Sequence, residues 1–189
     1  MSGLPPGTVG ESSQLYDRKQ LHMDTQKLSK QVEETGAAVI DELNLFSEEQ
    51  LNLVPFAGSW TGGQVGEHLL KSAGVVQVVF GRTAPTTDRA PDEKVPMLRI
   101  FLDFSIKMKS PDFILPSEGF HARQPLIDGL QKDWQRLGEA VDTLDLSETC
   151  LDFEMPGVGQ LTRLEWVSFY VYHSKRHLHQ LRNILASLQ

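Results

Sequence analysis

Thiol is nearly absent from this chain: Cys150 is the single cysteine, so an internal disulfide is excluded, and a lone thiol fits a reducing compartment. Long hydrophobic runs are missing as well. No apolar stretch approaches the roughly 20 residues that span a bilayer, and Met1–Gly10 has neither the basic nor the apolar region of a signal peptide. Positive charge is in deficit. Lys and Arg number 18 against 25 Asp and Glu, a net charge of −7, which argues against nonspecific binding to nucleic acid. No convincing strand is present; the nearest candidate, around Cys150–Met155, is short. The expectation is a soluble, cytoplasmic protein that engages neither nucleic acid nor membrane.

What the chain does have is helical patterning. Its 189 residues are enough for one domain with a buried core. Residues 1–13, rich in Gly, Pro and Ser, read as a flexible tail, and 14–189 as a single domain. Leu21, Leu28, Val32, Val39 and Leu43 recur at steps of seven and four, predicting a long amphipathic helix from about Gln14 to Leu43, weakened near Gly36. Ser47 with Gln50, and Thr61 with Gln64, have the spacing of capping boxes, so helices start at both places. Trp60 and Val65 fit a hydrophobic staple on the second of these. That helix is predicted to run to Phe80, with Val65, His68, Leu69, Ser72, Val75, Val76 and Val79 on its buried stripe.

Gly81 to Gly119 carries five prolines and a short apolar patch at 97–102, and reads as a crossover packed across the molecule. Leu126, Leu130, Trp134, Leu137, Val141 and Leu144 step by three or four, giving a third long helix. A fourth runs from about Thr162 to Leu188. The fold expected is an all-α four-helix bundle with a long irregular crossover between the second and third helices.

Six histidines are present. His173 and His177 lie one turn apart, within the apolar stripe Tyr170, His173, His177, Leu181, Ile184 and Leu188. His179 is about 200° from His177 and should face away. His22 and His121 have no partner at metal spacing and read as surface residues. His68 lies on the buried stripe of another helix. Three imidazoles in an apolar bundle are costly unless their nitrogens are bonded, and a divalent metal would bond one nitrogen of each. Three protein ligands leave a position open, the pattern of a catalytic rather than a structural site. An all-nitrogen set suits zinc, nickel, copper or iron. Two other readings stay open: a noncatalytic, metal-stabilised bundle that binds a ligand or a partner protein, and a metal-free core in which the histidines are polar links.

Glu67, next to His68, is the acid–base candidate, though adjacent helical residues point about 100° apart and it also reads as a surface carboxylate. Gln64 shares the face of His68 and Tyr170 precedes His173 by a turn, so both are pocket candidates. Trp60 reads as a staple before a substrate platform. Lys175 and Arg176 read as solvated, and nothing near Cys150 suggests an activated thiol.

The segments Phe46–Leu51, Ser59-Trp60-Thr61-Gly62-Gly63-Gln64-Val65-Gly66-Glu67-His68-Leu69 and Tyr172-His173-Ser174-Lys175-Arg176-His177-Leu178-His179-Gln180 resemble the DinB-like (DNA-damage-inducible protein B) family. The resemblance covers residue 14 to the end. It implies a four-helix bundle, with His68, His173 and His177 holding one ion, usually zinc or nickel, and with Gln180 matching a glutamine that often follows the pair. It also implies a small-molecule substrate, in some relatives a low-molecular-weight thiol, and often a homodimer.

Overall fold

A computed structural model describes the backbone from Val9 and the side chains from Thr25 to Gln189. Residues 1–8 of the expected tail, and the side chains of Leu21 and His22, lie outside the described residues. The first helix, α1 (Val9–Asn44), begins five residues before the predicted Gln14. Gly36 does not interrupt it: a Cβ there would lie 2.8 Å from Trp134 Cγ, so the glycine lets the indole of a neighbouring helix seat against the backbone.

A short helix, α2 (Glu48–Asn52), follows from the Ser47–Gln50 capping box, both of whose hydrogen bonds form. The Thr61–Gln64 box likewise starts α3 (Gly62–Ser72). The helix expected to reach Phe80 is broken at Ala73–Gly74 and resumes as α4 (Val75–Val79). Its predicted stripe stays buried throughout. Glycine at the junction removes helix propensity at the break.

The crossover contains β1 (Thr83–Ala84), α5 (Val95–Leu98) and 3-10 turns at Arg99–Leu102 and Asp112–Ile114. α6 (Arg123–Thr143) follows, then β2 (Thr149–Cys150) and α7 (Arg163–Ser187). β1 and β2 pair antiparallel, Thr83 opposite Cys150, which corrects the expectation of no strand. Two residues are too few to leave an alternating pattern in sequence.

α1 and α3 each pack against both α6 and α7. Together these four long elements form the bundle, whose core is built from stripes such as Val39 and Leu43 of α1, Val65 and Leu69 of α3, Leu130 and Leu137 of α6, and Val167, Leu181 and Ile184 of α7. The crossover lies along α7 and α3. The start of α7 is fixed by a third capping box, Thr162 with Glu165. Glu165, fully buried, also accepts both prongs of Arg89 at 2.7 and 2.8 Å and the Lys94 amide at 2.7 Å. One carboxylate thereby caps the last helix and ties the crossover to it. No helix among the described residues is long and apolar enough to cross a membrane.

Candidate metal centre

α3 and α7 bring His68, His173 and His177 together. Each offers one nitrogen, all within 4.8 Å of one another, and each ring is buried. His173 Nε2 lies 3.2 Å from His68 Nε2 and 3.1 Å from His177 Nε2. Nitrogens bound tetrahedrally at ~2.0–2.1 Å from one ion would be ~3.3 Å apart, so the spacing fits a single small cation.

The outward nitrogens reinforce that fit. His68 Nδ1 donates to the Ile114 carbonyl at 2.8 Å. A carbonyl only accepts, so the proton sits on Nδ1 and a neutral ring turns the Nε2 lone pair inward. His177 Nδ1 donates to Gln180 Oε1 at 2.9 Å, with the same consequence. His173 differs. Its Nδ1 is buried without a hydrogen-bond partner among the described residues. Aromatic rings hold it instead: Phe169 stacks at 5.4 Å, and Phe101 of the crossover meets it edge-on at 5.8 Å.

Burial dominates the ionisation of all three rings. It lowers the pKa of His68, with the Lys71 charge acting in the same direction against the Ile114 hydrogen bond. Burial, the neighbouring His177 and His68, and Arg176 put His173 well below the ordinary histidine value. Burial, His68 and Arg176 push His177 down to about 3, the Gln180 hydrogen bond opposing. Neutral imidazoles with inward lone pairs are the form that ligates a cation.

The other sequence candidates have definite places. Gln64 Oε1 closes the capping box, and its Nε2 donates to the Ser117 carbonyl at 3.2 Å. Tyr170 is fully buried against Trp134, and its hydroxyl donates to the Leu69 carbonyl at 3.2 Å. Glu67 Oε2 accepts from the Ser117 amide at 2.6 Å, the Ser117 hydroxyl at 2.8 Å and His121 Nε2 at 2.9 Å, while Lys71 Nζ reaches its Oε1 at 3.1 Å. Burial alone would raise its pKa, but these donors outweigh it and hold the carboxyl at about 2.

His121 corrects its surface assignment: it is buried, and joins Glu67 across the space between crossover and α3. Its signal was indirect. A Cβ on Gly63 would lie 2.6 Å from His121 Cβ, so this glycine marks the close approach. Trp60, expected as a staple, stands at the centre itself. Its half-buried ring lies 5.0 Å from His68 and 6.4 Å from His177, making it a wall of the centre. Arg176 is not simply solvated, since its guanidinium donates to the carbonyls of Phe101, Asp103 and Ile106. His179 faces away from the trio and stacks on Phe104 at 4.5 Å. Cys150 is fully buried, and burial, helped by Asp152 and Glu148 against Arg163, pushes its thiol up to about 11, the wrong direction for a nucleophile.

Comparison with known proteins agrees with this architecture. A solved structure from Bacillus subtilis, YfiT, described as a probable metal-dependent hydrolase with an unusual four-helix bundle topology, aligns over 99% of this chain and 94% of its own, with TM-score 0.56 and 17% identity. A candidate DinB family member from Exiguobacterium sibiricum 255-15 aligns over 87% of this chain and 91% of its own, with TM-score 0.52 and 17% identity. These likenesses concern the fold. In sequence, the uncharacterized protein YuaE of Bacillus subtilis (strain 168) is 26% identical over 149 residues, 79% of this chain and 91% of that one. The model of the DinB superfamily matches residues 31–181, from the middle of α1 to beyond the last histidine of the trio. The chain belongs to the DinB superfamily.

Proposed function

We propose that this protein is a metal-dependent enzyme with a mononuclear His68, His173 and His177 site, acting on a small molecule as a hydrolase or as a transferase that uses a low-molecular-weight thiol. Zinc or nickel is the metal of this reading. The observation that carries it is the convergence of three inward nitrogens, two of them turned inward by hydrogen bonds at the opposite ring atom. A divalent ion in such a three-ligand site supplies Lewis-acid chemistry, acidifying a water or thiol toward neutral pH and polarising a substrate oxygen.

The chain's own residues do the rest. Ile114 and Gln180 orient two of the rings, and Phe101 and Phe169 enclose the third. Trp60 offers the substrate an aromatic face beside two of the ligands. Glu67 holds the Ser117 strap to α3 in this reading, because its two oxygens are committed to four donors. The description of YfiT as a probable metal-dependent hydrolase supports the hydrolytic branch by analogy of fold. Assembly as a homodimer in the cytoplasm belongs to the same proposal.

The test is an activity screen on tag-free protein, stripped of metal and reloaded with zinc or nickel. It uses ester and amide substrates, and electrophiles offered together with low-molecular-weight thiols. Turnover that appears on reloading and is lost in His68→Ala supports the enzyme. Chelation that lowers the melting temperature, with no turnover in any arm, supports the noncatalytic bundle instead.

A further inference from the structure

Arg176 occupies an unusual position. It lies between two candidate ligands in sequence, and its guanidinium is spent on backbone rather than on a carboxylate. Nη1 donates to the Asp103 carbonyl at 2.8 Å and the Phe101 carbonyl at 3.5 Å, and Nη2 donates to the Ile106 carbonyl. One planar fork thus gathers three carbonyls of a single turn of the crossover. A second rivet lies one helical turn away, where His179 stacks flat on Phe104 with rings 10° from parallel. The side chain delivered by this turn is Phe101. Its ring meets Phe169 at 5.0 Å and His173 at 5.8 Å, both edge-on.

His173 is the ring of the trio that no hydrogen bond at Nδ1 orients among the described residues. Its two companions each have one. The orientation of His173 therefore depends on the aromatic pair around it, and half of that pair belongs to the crossover.

We propose that Arg176 is a positioning residue for the metal centre, holding the 101–106 turn so that Phe101 fixes the His173 ring in its ligating orientation. The proposal rests on the three-histidine reading above. It distinguishes geometry from charge. A cation close to the site opposes binding of a second cation, so if charge alone mattered, removing it would tighten binding. If the fork positions His173, removing it weakens binding, and lysine, which keeps the charge but is a point donor, does not restore it.

The experiment is a competition titration of metal-free, tag-free protein with zinc against a chromophoric chelator, run on wild type, Arg176→Ala, Arg176→Lys and Phe101→Leu. Melting curves of each metal-free form accompany it. Partners that orient ligands typically contribute about 10–100-fold in metal affinity. The expected result is zinc binding weakened by about tenfold or more in both Arg176 variants, and in the same direction in Phe101→Leu. A structural role alone would lower the metal-free melting temperature and leave the zinc affinity of folded molecules unchanged. Zinc affinity within twofold of wild type in the Arg176 variants, or tighter binding by Arg176→Ala, overturns the proposal and leaves the three-histidine site standing. If Arg176→Ala does not fold, Phe101→Leu decides, because it keeps the backbone contacts and removes the ring; unchanged zinc affinity there overturns the proposal. Wild type that binds neither zinc nor, in a parallel titration, nickel overturns the site and the positioning role together.

Discussion

His68 of α3 and His173 of α7 face each other with their Nε2 atoms 3.2 Å apart, although 105 residues separate them in the chain. Two bare lone pairs at that distance repel unless a proton or a cation lies between them. Both rings are buried, so water does not screen the pair.

Gln180 would act on a bound metal through His177, whose Nδ1 proton its Oε1 accepts. Replacing Gln180 with Leu removes that acceptor and frees the ring to turn or change tautomer. Zinc affinity should fall by about 10–100-fold while the far-ultraviolet circular dichroism stays helical. Unchanged affinity would mean that the inward lone pair of His177 does not depend on this bond.

Stability of the metal-free protein should depend on pH with a definite sign. The folded pKa values of His68, His173 and His177 are lowered from 6.5, that of His177 to about 3. Below about pH 6.5 the unfolded chain takes up protons that the folded one refuses, so stability falls as the pH drops from there toward 3. Glu67 adds a lower limb. Its folded pKa is about 2 against 4.5, so its contribution is complete above about pH 4.5 and lost as pH falls through 2. Melting curves of chelator-treated wild type and Glu67→Gln should share the decline that begins near pH 6.5. Below 4.5 the further loss should be smaller in Glu67→Gln than in wild type, because the variant lacks the Glu67 limb but keeps that of carboxyls such as Asp145, which its hydrogen bonds from Ser147 also hold low.

Glu165→Ala should be strongly destabilising. Its carboxylate is fully buried and holds Arg89, the Lys94 amide and the Thr162 amide together. Removing one partner of a buried ion pair leaves the other charge uncompensated, which costs about 3–5 kcal/mol. Equilibrium urea unfolding measures the loss. A change under about 1 kcal/mol would show that Arg89 finds water at little cost.

Gly63→Ala sets two effects against each other. Alanine gains up to about 1 kcal/mol of helix propensity, but its Cβ would come within 2.6 Å of His121 Cβ. Overpacking of that kind costs about 1–3 kcal/mol. Net destabilisation in urea is expected. A more stable variant would contradict the close docking of His121 on α3.

The long helices and the convergence of the three histidines were legible because their signals are local and periodic. Three- and four-residue steps put His173 and His177 in the stripe of α7, and the Thr61–Gln64 box set the phase of His68. Thr162 and Glu165 carried the same kind of signal, a threonine followed three residues later by glutamate, so this third box was there to be read. The rest depended on the crossover, whose contacts have no period. Its Ile114, Leu115 and Ser117 carbonyls accept from His68, Lys71 and Gln64 on one face of α3. Those bonds involve backbone atoms, which leave no mark on residue type. Arg176 was missed for that reason. His121 was missed because its partner, Glu67, becomes a neighbour only when the crossover folds back over α3. The break at Gly74 and the strand pair β1–β2 are two-residue features, shorter than any periodicity that could reveal them.

A metal centre of three histidines stands or falls on the metal content of tag-free protein, purified without chelator, beside His68→Ala and His173→Ala. Close to one divalent ion per chain is expected in wild type, and almost none in either variant, with helicity preserved in all three. Wild-type protein that takes up no metal even when zinc or nickel is supplied, or variants that keep a full equivalent, would contradict such a centre.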